Sequence, residues 1–397
     1  MDRFLPRLEP LTVRAVAYFS ARGLREIATL CLVLAASVLP ATPAYALITK
    51  SYVVSWFHMA TYAYDGACPQ GKNPEHVELW SRSLRELGYS ANDIKLLLTG
   101  GKINGKVLQD IVRDRGKIPG KENTFAYPWS APDPHIKTVG GRYAIGFNLD
   151  GRGDGPNAFE DPETHERGVD NELFRAYGCF PPYQVSVPER PQYEAGAWFQ
   201  LTGAMPAWVL TVSGESLEKD GDVTVVLARA LEKSMQDARG LIMADATYRI
   251  DPNPRSINVL RGKITNGVIS IDPADLVLEA EPHWLSQLQL RKAHLRLKMD
   301  GGAIAGFVGG YTPWFDQFFI MSSNGYDAEE GGIDLPGLWY ALERLADGPK
   351  DPKTGKSAWI SSAFRLEAVP AIVLDPTSAL AKATPRQSAG FEAGSTK

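Results

Sequence analysis

Histidine is scarce in this chain, cysteine scarcer still, and positive charge is in deficit. There are six His and three Cys in 397 residues, and 42 Lys and Arg stand against 46 Asp and Glu, a net of −4. The charge deficit argues against a nucleic-acid partner, which needs a basic face to displace counterions. The histidines (58, 76, 135, 165, 283 and 294) are scattered, without an H-E-x-x-H or a close pair, which argues against zinc. There is no Gly-x-Ser-x-Gly nucleophile elbow. Beyond the first 46 residues no run is long and apolar enough to span a bilayer, so no transmembrane anchor is expected once that segment is removed.

Two further chemistries fail on context. Ser216-Leu217-Glu218-Lys219, Ser256-Ile257-Asn258 and Lys353-Thr354-Gly355 follow the order of the serine penicillin-binding motifs. Ser216, however, falls in a polar turn between two strand-like runs, where that nucleophile needs the start of a buried helix. Gly355-Lys356-Ser357 ends like a phosphate-binding loop, but position 350 is Lys where the first glycine belongs.

What is present begins with an export signal. Arg14, Arg22 and Arg25 precede an apolar run from Ile27 to Leu39; Pro40 and Pro43 then break it, and Ala44-Tyr45-Ala46 offers a small-x-small cleavage site. Cys31 lies in the apolar run with no lipobox before it. Residues 1–46 carry five Arg and three acids, a net of +2 that, taken from −4, leaves the remainder near −6. The expected location is periplasmic or extracellular. There the two remaining cysteines, Cys68 and Cys179, are expected to pair as a structural disulfide.

The chain after residue 46 divides into four expected segments. Residues 47–141 read as a small helical and irregular region that follows a short strand at Ser51–Phe57. Asn73-Pro74 is placed to start a helix with Val77, Trp80, Leu84 and Leu87 on one face. Ser90 with Asp93 makes a capping box for a second helix, and Lys106–Arg113 a third. Residues 142–182 form an acidic, glycine-rich segment entered from a buried strand at Tyr143–Leu149. Residues 183–374 carry period-two alternation, with hairpins at Asn266-Gly267 and Asp300-Gly301-Gly302, a bulge near Lys292 and a late helix opened by Asp334-Leu335-Pro336. Residues 375–397 have little to bury and read as a disordered tail. The fold class expected is α+β and β-rich: an antiparallel β-sandwich, jelly-roll-like, with a small N-terminal helical region and one C-terminal helix.

The acidic segment holds the candidate site. Between Asn148 and Glu172 stand eight acids against Arg152 and Arg167, a net of −6, with Gly at 151, 153, 155 and 168. Crowded carboxylates repel one another, and a hard divalent cation would offset that repulsion. The spacing is not that of an EF-hand: counted from Asp150, position 3 is Arg152 and position 12 is Asp161. Asp150, Asp154, Asp161, Asp170 and Asn171 are the expected ligands of a calcium ion in a loop of another kind. The competing readings are a solvated acidic loop and a carboxylate pair working on a glycosidic bond. Function is accordingly expected to be that of an exported cell-envelope binding or structural module with an envelope or glycan ligand. The alternative is an extracytoplasmic hydrolase of glycan or peptidoglycan.

Overall fold

Among the described residues the chain forms twelve strands and five α-helices. The computed structural model describes residues 47–374 and 384–388, apart from 87, 100–126, 154, 156–157, 187–188, 192–193, 197, 199–201, 280–286, 324–327 and 329–330. The expected signal at 1–46, the third helix at Lys106–Arg113, Asp154 and most of the expected tail lie outside the described residues.

The strands are β1 (Ile48–Met59), β2 (Phe159–Glu160), β3 (Arg167–Val169), β4 (Pro206–Gly214), β5 (Gly221–Lys233), β6 (Ala246–Arg249), β7 (Ile257–Thr265), β8 (Val268–Ile271), β9 (Ala274–Glu279), β10 (Gln287–Asp300), β11 (Ala303–Pro313) and β12 (Trp359–Leu374). The helices are α1 (His76–Glu86), α2 (Ala91–Thr99), α3 (Glu172–Tyr177), α4 (Trp314–Ser323) and α5 (Leu335–Leu345).

The β-sandwich expectation is overturned. Eight antiparallel strands run in the order β1-β4-β5-β7-β8-β10-β11-β12, and β12 pairs back onto β1 with Tyr52 opposite Pro370 and Met59 opposite Phe364. The result is a closed barrel with two added strands, β9 on β10 and β6 parallel to the end of β12. Inward–outward alternation is the same in a sandwich and in a barrel. Closure depends on a pairing between the first and last strands, which periodicity does not encode.

An eight-stranded barrel is about wide enough for side chains to fill it. Tyr52, Val54 and Trp56 of β1, Leu210 and Val212 of β4, Val225 and Leu227 of β5, and Leu295 and Leu297 of β10 belong to one buried cluster. That cluster continues into Leu173 and Tyr177 of α3, Phe318 and Met321 of α4 and Leu338 and Leu342 of α5. The barrel is therefore packed rather than hollow, and sites for ligands are to be sought outside its lumen.

Local signals read well. The β7–β8 hairpin turns at Asn266 (φ 50°) and Gly267 (φ 75°). The β10–β11 hairpin turns at Gly301 and Gly302, both at positive φ. A bulge falls at Lys292 (φ 48°), where the register of β10 shifts against both β9 and β11. It lets Leu288 and Leu290 on one side, and Ala293 and Leu295 on the other, join the same core despite opposite phase. Ser90 and Asp93 form their capping box, Ser90 Oγ accepting from Asp93 N at 3.2 Å and Asp93 Oδ2 from Ser90 N at 3.3 Å. Asp334 caps α5 by accepting from Gly337 N at 3.1 Å.

Three local expectations change. Asn73 caps no helix; its side chain clasps the backbone of Lys137, accepting from N and donating to O, both at 2.8 Å. α1 buries Leu79 and Leu84 while Val77 is exposed, so its apolar face is turned from the expected one. Tyr143–Leu149 is buried coil rather than strand, with isolated bridges at Tyr143 and Phe147. The disulfide is present: Cys68 and Cys179 are bonded with their Cα atoms 5.8 Å apart, tying the segment before α1 to the end of α3.

Candidate functional site: an acidic cleft beside the barrel

The acidic segment folds as a loop laid against the barrel wall. Gly168 (φ 78°) is confined: a Cβ there would collide with the carbonyl oxygen of Arg152. Asp161, fully buried, holds the loop shut. Its Oδ1 accepts from Glu163 N at 2.8 Å and Thr164 N at 2.9 Å, and its Oδ2 meets Arg296 Nη2 of β10 at 2.6 Å. Desolvation opposes the charge on Asp161, but those backbone donors and Arg296 outweigh it and hold its carboxyl below the usual range. Asn171, also fully buried, caps α3 by accepting from Phe174 N at 3.1 Å and donates to Ile145 O at 2.8 Å.

Of the five expected calcium ligands, then, Asp161 and Asn171 bind the fold itself, and Asp154 lies outside the described residues. Asp150 and Asp170 come together. Asp170 Oδ2 accepts the backbone N–H of Leu149 at 2.8 Å and that of Asp150 at 3.1 Å. Both line a cleft of about 580 Å³ whose wall also includes Glu172, Tyr311 and Asp347. Among the described residues, no three His, Cys, Asp or Glu side chains are grouped as a ready-made metal shell.

Glu172, counted in the acidic run but not among the expected ligands, and Asp347, far outside that run, complete the set. Glu172 is the first residue of α3; Asp347 follows α5, far along the chain. Ser361 of β12 joins them: its Oγ accepts from Glu172 N at 2.9 Å, and its N–H donates to Asp347 Oδ1 at 2.7 Å. Nothing in spacing could have shown this, because the contact passes through the last strand of the barrel.

The cleft disfavours negative charge on its inner carboxyls. Burial pushes Asp170 up to about 6, helped by Asp150 and Asp347, against the pull of its two backbone donors. Burial pushes Glu172 up to about 7 in spite of Arg175, whose Nε lies 2.8 Å from Glu172 Oε2, with Asp347 and Asp170 adding to the rise. Asp347 is raised mainly by burial within the walls, against the hydrogen bonds from Ser361, with Asp150 adding to the rise. Tyr311 is also raised, by burial and by three of these acids. The balancing bases stand at the rim: Arg152, mostly exposed and 3.6 Å from Asp150; Arg344, 2.9 Å from Asp133; and Lys350, exposed.

A second void, where α3 and α4 meet the barrel, has room for about one water at 20 Å³. His58 Nε2 and Glu194 Oε2 pair in its wall at 3.1 Å, and Tyr183 donates to Glu194 Oε1. It is too small for a ligand. No helix among the described residues is long and apolar enough to cross a membrane. Comparison with protein-family models, with curated proteins and with solved structures gives no significant match.

Proposed function

We propose that this is an exported cell-envelope binding module, built on a filled β-barrel, whose acidic cleft receives a positively charged ligand. The observation that carries this reading is the pair Asp170 and Glu172, pushed up to about 6 and about 7 inside a cleft shared with Asp150 and Asp347. Carboxyls held above their ordinary values gain the most from a cation, because its charge offsets both desolvation and mutual repulsion.

Calcium is the first candidate, since the donors on offer are all hard oxygens. The described side chains do not surround a point, so an ion held by Asp150 and Asp170 would keep part of its water. Export is supported by the leader-like composition of residues 1–46 and by the Cys68–Cys179 disulfide, a bond at home in oxidising compartments.

Calorimetric titration of the protein with calcium, then with magnesium and a small diamine, tests the reading. Binding at pH 7.5 that is lost in Asp170→Asn supports it; no heat with any of the three cations overturns it. A second reading has one observation in its favour. A carboxyl at about 7 beside other acids is placed to donate a proton at neutral pH, as a glycan hydrolase requires. Release of reducing ends from soluble glycans, abolished in Glu172→Gln, would establish that alternative.

A further inference from the structure

We infer that a second surface, separate from the cleft, binds a saccharide chain by stacking. Its rings are Tyr127 and Trp129, in the turn that precedes α5 in space, Trp314, Phe315 and Phe319 of α4, and Trp339 of α5. Four are open to solvent: Tyr127 at 46%, Trp129 at 52%, Phe315 at 49% and Phe319 at 54%. Exposing four large rings on adjoining elements costs hydrophobic free energy that a folded protein ordinarily recovers by burial, so the patch is expected to be covered in use.

The rings are braced rather than loose. Trp339 is the hub, meeting Trp314 at 4.8 Å, Phe318 at 5.0 Å and Trp129 at 5.1 Å between centroids. Phe315 meets it edge-on at 6.0 Å and stacks on Phe319 at 6.3 Å. The hydroxyl of Tyr340, next to Trp339, donates to Ala131 O at 2.8 Å and so fixes the turn that carries Trp129. A fixed set of ring faces costs little entropy to engage.

Chemistry selects among occupants. All the exposed large apolar residues of residues 127–140 and of α4 are aromatic; the exposed Leu, Ile, Val and Met side chains lie elsewhere. Ring faces without aliphatic neighbours suit the C–H face of a pyranose. An anionic lipid surface would want cationic neighbours. Across residues 127–134, α4 and α5, with its cap, the charged residues are Asp133, Asp316, Asp334, Glu343 and one base, Arg344, which is held by Asp133 at 2.9 Å. That excess of acids argues against an anionic lipid surface, and the ring faces then favour a polyhydroxylated ligand without negative charge.

Affinity electrophoresis of the purified protein through gels containing soluble β-1,3-glucan, soluble β-1,4-glucan or N-acetylglucosamine oligomers tests the inference. At least one polymer is expected to retard the native protein. Trp129→Ala, and separately Phe319→Ala, should weaken that binding about tenfold, as loss of one stacking ring does. Leu96→Ala, an exposed change on α2, should leave it intact. Asp170→Asn should also leave it intact, which separates this surface from the cation reading of the cleft. Unchanged melting of Phe319→Ala guards against a folding defect, since that side chain is half in solvent. No retardation by any polymer, or equal retardation of both ring variants, overturns the inference. So would vesicle sedimentation, or dimerisation, that is lost in the ring variants: the surface would then belong to a membrane or to a second copy.

Discussion

Arg296 reaches from β10 across the barrel wall to Asp161, with Nη2 and Oδ2 2.6 Å apart and Asp161 fully buried. The same guanidinium lies 5.2 Å from the ring centre of Phe147. This pair is what fastens the acidic loop to the barrel. Arg296→Met leaves a buried carboxylate without its partner and is expected to cost about 3–5 kcal/mol. Urea unfolding of both single variants and of the Arg296→Met/Asp161→Asn double measures the coupling. The double should be less damaged than the sum of the singles.

The cleft sets a pH dependence of stability. For an acid whose pKa is raised on folding, the folded state holds the proton longer than the unfolded one. Stability is then complete below the unfolded value and falls as pH rises through the folded value. For Glu172 that window runs from 4.5 to about 7, and for Asp170 from 3.8 to about 6. In a chelator the midpoint of thermal unfolding should therefore fall between about pH 4 and pH 7. Glu172→Gln should flatten that fall, by at most about 3 kcal/mol. A profile with the same slope in Glu172→Gln and in the native protein would show that the carboxyl is not desolvated.

Cys68 and Cys179 close a loop across 111 positions. On the chain-entropy model such a loop contributes about 4–5 kcal/mol, less any strain in the folded state. The Cys68→Ser/Cys179→Ser double variant should lose most of this in denaturant unfolding. Reductant should lower the midpoint of the native protein and leave that of the variant unmoved.

Lys292 is one of few non-glycine residues at positive φ, at the bulge where β10 changes phase. Its backbone N–H donates to Asp275 Oδ1 at 3.1 Å, a contact any residue can make. Lys292→Gly removes the left-handed penalty and should be neutral or stabilising by up to about 1 kcal/mol, where glycine inside a strand ordinarily destabilises. Chemical denaturation of the variant reads this directly.

How far the fold was legible follows from which contacts are local. The turn at Asn266-Gly267, the bulge at Lys292 and the caps at Ser90 and Asp334 are written in a few neighbouring residues, and each is in place. Barrel closure is written in the pairing of Tyr52 with Pro370, between the first and last strands, and nothing near either residue records it. The site divides the same way. Asp150 and Asp170 stood out because they share one acidic run. Asp347 did not, because Ser361 brings it to Glu172 only once β12 is in the barrel. α4 escaped notice because Asp316, Gln317, Ser322 and Ser323 are spread among its apolar residues, so Trp314–Ser323 carries no helical stripe.

Proton release on cation binding is the measurement closest to the central claim. Weakly buffered protein at about pH 6.5, where Asp170 and Glu172 still hold part of their protons, is titrated with calcium against a pH indicator. A cation entering the cleft should drive those protons off, with a release that shrinks above pH 8 and disappears in Asp170→Asn. Calcium that binds without releasing protons, or that releases them equally from Asp170→Asn, would contradict the account and place the ion somewhere other than the cleft.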